Sequence, residues 1–139
     1  MIQARMDRKR VGPNVDVANR ILQEAYDELK NQKPLQALER SVGLTKACRD
    51  HAMDQSINGG WGHTGKDGSS AGTRMNRYGT WKGMSGENMA YSKKNATEII
   101  TGLYIDSVSS TRGHRKNMMN PSYTKVGIFA SGPENVKKA

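Results

Sequence analysis

Cysteine is nearly absent from this chain. The single one, Cys48, excludes an intrachain disulfide and any zinc site built from several thiolates. Long apolar runs are absent as well, so the sequence offers no stretch able to cross a membrane as a helix. The hydrophobic share is 35%, low for a folded chain, and 15 glycines account for part of that deficit. Acidic side chains are in short supply, 13 against 22 basic ones, leaving a net charge of +9. Such a charge suits attraction to nucleic acid or anionic lipid. The basic residues are spread out, however, and the one dense cluster is Arg8-Lys9-Arg10. No helix-turn-helix, RRM, KH or zinc-finger signature follows it, so nucleic acid is not an expected partner. The opening MIQARMDRKR has charge without an apolar stretch behind it. It is not a secretion signal, and the expectation is a cytoplasmic protein or one whose leader lies outside this sequence.

What is present is enough for one domain. At 139 residues, folding buries roughly two-thirds of the unfolded surface without staples. Residues 1–13 read as a flexible lead-in ending in Gly12-Pro13, 14–131 as the folded domain, and 132–139 as a polar tail. Val17, Ile21, Leu22, Ala25 and Leu29 form one apolar stripe, which predicts a helix from Asn14 or Asp16, either able to cap it, to about Asn31. A second helix is expected from about Ser41 to Ser56, with Leu44, Ala47, Cys48 and Ala52 inward. Cys48 is read there as a small buried hydrophobe. Asn58-Gly59-Gly60 ends that helix, and a Gly/Ser-rich ordered loop follows to residue 72. A short helix is expected over about Ser70–Tyr78, and a short strand or extended wall over Asn88–Tyr91. Asn95, with Glu98 three residues on, reads as the cap of another helix carrying Ile99, Ile100, Leu103 and Tyr104 inward. Capping explains Asn95 better than its glycosylation sequon does. After a polar linker (107–113), Val126, Ile128 and Ala130 alternate with their neighbours as in a strand with one packed face.

Three histidines are the candidates for chemistry. His51 sits on the second helix and is expected at its surface or at the edge of the core. His63 and His114 differ, because each follows a glycine in a polar segment, Gly62-His63-Thr64 and Gly113-His114-Arg115. Two imidazoles with one or two carboxylates suffice for a divalent metal site or an acid–base pair. No HExxH run, no GxSxG elbow and no plausible cysteine nucleophile is present. The serines 69, 70 and 85 read as turn and cap residues. Met84, Met89, Met118 and Met119 flank the candidate segments; flexible thioethers suit an adaptable apolar surface, and ordinary core packing explains them as well.

The runs GHTGKDGSS, RYGTWKGMSGENMAYS, IDSVSSTRGHRKNMMNP and TKVGIF follow one another in that order. Together they resemble the CAP superfamily (the SCP domain of cysteine-rich secretory, antigen 5 and pathogenesis-related 1 proteins), in its compact, disulfide-free bacterial branch. The resemblance implies an α+β fold, a three-layer α-β-α sandwich with a small antiparallel sheet between helices. The family's usual further strand after VGIF has no counterpart, because the chain turns polar at Ser131. The sheet is therefore expected to be one strand short, or the sequence to be a shortened one. The resemblance further implies a central cleft in which His63 matches the first histidine, Glu87 the acid of the GEN motif and His114 the second histidine. Asp106, 19 residues after Glu87, stands where the second acid is usually a glutamate. On this reading His63 and His114 ligate a divalent metal weakly, zinc first, with water completing the shell and no organic cofactor. Glu87 and Asp106 either ligate as well or orient the water and the rings. The implied function is a secreted or cell-surface binding module, with lipid, sterol or a host or cell-surface protein as partner. The alternative is a metal-dependent hydrolase using the same cleft, with Glu87 as its candidate catalytic residue.

Overall fold

The computed structural model describes residues 13–91 and 95–131. The expectations for residues 1–12 and 132–139 lie outside the described residues, as do those for 92–94. Helices and a small sheet are both present, so the fold is α+β, and the contacts gather into two compact units. Among the described residues no helix is long and apolar enough to cross a membrane.

The first unit combines residues 13–34 with 90–119 and holds α1 (Pro13–Asn31), α4 (Ala96–Ile105) and α5 (Gly113–Met118). Helix α1 begins one residue before Asn14 and three before Asp16, the two expected starts: Pro13 is already helical, where its missing N–H costs nothing, and Asp16 lies in the first turn. The predicted stripe is only partly inward. Ala25 is buried and Ile21 half-buried, while Val17, Leu22 and Leu29 are exposed. The cause is ionic: Glu24 and Glu28, on the same side of the helix as Ala25, are taken by arginines of the α4–α5 segment. Helix α4 is capped as its sequence indicated. The Asn95 Oδ1 accepts from the Glu98 N–H at 2.9 Å, and the Asn95 amide donates to the Glu98 carboxylate at 3.2 Å. It stops at Asp106, whose left-handed backbone (φ 50°) turns the chain back.

Arg112 donates from Nε and Nη2 to the two oxygens of Glu24, both at 2.9 Å, and Arg115 adds a third bond. These guanidiniums, Arg112 foremost, lower the Glu24 carboxyl from 4.5 to about 2, against a smaller opposing effect of burial. A carboxyl whose folded value is depressed stabilises the fold above its unfolded value and loses that contribution as pH falls toward its folded value. The stability difference between the protein and a Glu24→Gln variant should therefore be full at neutral pH and shrink between about 4.5 and about 2. Urea unfolding midpoints at several pH values measure it; a difference unchanged across that window would contradict the ion-pair account.

The second unit combines residues 35–89 with the segment from Asn120 onward. It holds β1 (Glu39–Arg40), α2 (Val42–Asn58), α3 (Ala71–Asn76) and β2 (Lys125–Val126). The sheet is a two-stranded parallel pair, Glu39 opposite Lys125 and Arg40 opposite Val126. The expected antiparallel sheet is thus corrected for the described residues. The strands are joined by a connection that carries four helices, the long crossover parallel pairing needs. The predicted strand is also shorter, because Gly127 leaves the ladder to lie on the first turn of α2. Ser41 caps α2 by accepting from the Leu44 N–H, and Ser70 caps α3 by accepting from the Thr73 N–H. Residues 88–91 belong to no helix or strand.

Candidate functional site

The His63 loop is fixed from beneath. Gly59 ends α2 with a positive φ of 72°, and Gly62 has a φ of 93°, a region open to glycine alone at low cost. That conformation turns the Gly62 carbonyl onto α2, where it accepts from His51 Nε2 at 2.9 Å and from the Gln55 amide at 2.8 Å. Past His63, the Lys66 N–H donates to Asp54 and the Gly65 N–H to the Ser69 carbonyl, closing the loop. The Lys66 backbone bond holds the Asp54 carboxyl below the usual range, and Ser69 together with Arg77 does the same for Asp67. On this support the His63 ring is 56% exposed, with Nδ1 2.8 Å from Glu87 Oε1. The other oxygen, Glu87 Oε2, accepts from Arg74 Nη2 at 2.7 Å.

The His114 half is built around Asp106, which is fully buried. Its Oδ1 lies 2.8 Å from His114 Nδ1 and its Oδ2 accepts the His114 backbone N–H at 2.9 Å. Helix α5 has no cap from its own Arg112 side chain, so Asp106, eight residues before His114, fills that role from a distance. Burial raises the Asp106 carboxyl. Hydrogen bonds from the His114 ring and from the backbone N–H groups of His114 and Arg115 outweigh it and hold the group below its ordinary value.

Each carboxylate can only accept, so each imidazole must donate from Nδ1, which places the neutral ring's lone pair on Nε2. That is the nitrogen able to ligate a cation or take a proton. Both oxygens of Glu87 and both of Asp106 are engaged by donors. Geometry therefore favours orientation of the rings over direct ligation by the acids. Among the described residues no group of three or more His, Cys, Asp or Glu is arranged to hold a metal ion. Each pair offers a single imidazole nitrogen, and neither fits a closed structural metal site.

The structure thus brings His63 to Glu87 and His114 to Asp106, each pair within one unit. His51 departs from expectation: it is buried, 4% exposed, and spends Nε2 on the loop that presents His63. Its apolar neighbours on α2 gave no hint of that tether. Cys48 is half-buried with Sγ 3.4 Å from the Gly127 carbonyl, and burial, with the Glu87 charge behind it, pushes its thiol up. It was expected to be buried and is less so than that. Met84 is exposed, while Met89, Met118 and Met119 are half-buried. Two residues that sequence reading passed over are Arg74 and Arg115, each 1% exposed. A lone charge inside the otherwise uncharged helix AGTRMN was the one available pointer to Arg74.

An α+β protein with two imidazole–carboxylate pairs, and no thiol or serine nucleophile among them, is the class these observations define. The model of the cysteine-rich secretory protein family (CAP) matches residues 9–138, and the chain belongs to that family. A relative from Bacillus subtilis (strain 168), described as uncharacterized protein YkwD, is 28% identical over 107 residues. The shared region takes in 77% of this chain and 38% of the relative, so the chain spans well under half of that protein's length. No solved structure matches the chain.

Proposed function

We propose that the protein is a secreted or cell-surface binding module whose His63 and His114 take up a divalent cation, zinc first, through their Nε2 atoms. The observation that supports this most directly is the shared construction of the two pairs: 2.8 Å from Nδ1 to a carboxylate oxygen in each. A carboxylate behind an imidazole fixes the tautomer and strengthens the opposite ring nitrogen as a ligand, the arrangement common behind metal-ligating histidines. An imidazole with water at either pair makes an open, reversible site, suited to metal-dependent recognition of a partner rather than to holding the fold together. The family's description as secretory supports the placement outside the cell.

Zinc titration by calorimetry tests the reading. The intact chain should bind zinc, and His63→Ala and His114→Ala should each weaken binding at least about tenfold. Heats indistinguishable between the intact chain and the double variant would end the proposal.

A further inference from the structure

Arg74 holds Glu87, but that is one of three attachments made by the same guanidinium. Nη2 donates to Glu87 Oε2 at 2.7 Å, Nη1 and Nη2 both reach the His63 carbonyl at 3.2 Å, and Nη1 donates to the Ser69 carbonyl at 2.8 Å. The side chain is buried, on a helix whose start is fixed by the Ser70 cap. The His63 ring, by contrast, is more than half exposed. Packing alone does little to aim an exposed ring. What aims it is the backbone at residue 63 and the carboxylate on Nδ1, and both are in the grip of Arg74.

We propose that Arg74 is a positioning residue for His63: by clamping the His63 carbonyl and Glu87 together, it imposes the Nδ1–H tautomer and the direction of Nε2. The inference rests on the reading of His63 as the ligand-bearing ring, but it concerns the ring before any ligand arrives. Glu87 keeps Oε1 on His63 because Oε2 is anchored by Nη2; a planar fork can hold a carboxylate and a carbonyl at once, and a lysine ammonium cannot do so in a fixed geometry. Without the fork the carboxylate swings, and the ring relaxes toward the Nε2–H tautomer that a free histidine side chain prefers. Nε2 then carries a proton and presents no lone pair.

The test is nuclear magnetic resonance of ring-labelled His63 in the metal-free full chain at about pH 8, above the ordinary imidazole range. The intact chain should show the Nδ1–H tautomer. Arg74→Lys should show a mixture, and Arg74→Gln a majority of Nε2–H, with zinc affinity lower by about tenfold or more in the latter. Dispersed amide spectra establish that the variants fold. Retention of the Nδ1–H tautomer in both folded variants overturns the proposal. So does loss of the fold in both, which would make Arg74 a structural residue only. If the tautomer follows Arg74 as stated while zinc fails to bind any form, the cation reading falls and the positioning role stands. An intact chain already in the Nε2–H form defeats both.

Discussion

Alanine at position 127 is expected to destabilise the His63-bearing unit by about 3 kcal/mol or more, and to lower the melting temperature by about 10 °C or more. A methyl group there has nowhere to go: it would fall on the backbone of Leu44 and Thr45 at the start of α2. Backbone cannot rotate aside as a flexible side chain can. Relief therefore requires the strand to part from the helix, and several contacts go with it. The Gly127 carbonyl accepts the Cys48 thiol, and the preceding Val126 carbonyl accepts the Ser41 N–H that leads into the helix. Gly72→Ala is the matched control. Its added carbon would sit at an ordinary 3.6 Å from the Trp81 ring, on a helix, where alanine is worth about 0.5–1 kcal/mol over glycine. Chemical unfolding of the two variants separates the cases. A loss at Gly127→Ala as small as that of an ordinary surface change would mean the strand does not lie where the structure puts it.

The same glycine shows which parts of the fold could be read from sequence. Local chemistry was readable: Ser70 and Asn95, read as cap residues, each accept from a backbone N–H three residues ahead, and Ser41, where the second helix was expected to start, does the same. Long-range chemistry was not. Glu39-Arg40 carries no alternation and is exposed on both residues, so β1 and its parallel register could not be seen in advance. The stripe on α1 was misread for a related reason. Hydrophobic periodicity assigns the inward face to carbon, whereas this helix turns Glu24 and Glu28 toward Arg112 and Arg115, whose partners are about ninety residues away in the chain. At the candidate site the motif residues were found, but the reason for their arrangement was not. Asp106, where the second acid is usually a glutamate, is shorter by one methylene. Its left-handed backbone lets the shorter side chain cap α5 and meet His114 Nδ1 together.

Arg115→Met should cost about 3 kcal/mol in the first unit, although the guanidinium is paired mainly with half-exposed acids. Glu24 and Glu28 are 40% and 55% exposed, and an ion pair to such groups contributes little once water screens it. The weight lies elsewhere. Arg115 Nε donates to the Tyr104 carbonyl at 2.7 Å and Nη2 to the Ile105 carbonyl at 2.9 Å. Those two groups end α4, where no further helical N–H exists to take them. Methionine fills a similar volume but donates nothing, so both carbonyls lose their charged partner. The Arg115 guanidinium also stacks 5.5 Å from the Tyr104 ring centre, a contact a thioether replaces only in part. Arg115→Lys should recover about half the loss, since one ammonium can reach one carbonyl but not serve both and Glu24 together. Urea unfolding of the two variants ranks them. Equal stability of Arg115→Met and Arg115→Lys would place the effect in packing alone; a loss confined to low salt would place it in the acids. The outcome expected here is a graded, salt-insensitive loss, because the half-buried end of a helix is what this side chain closes.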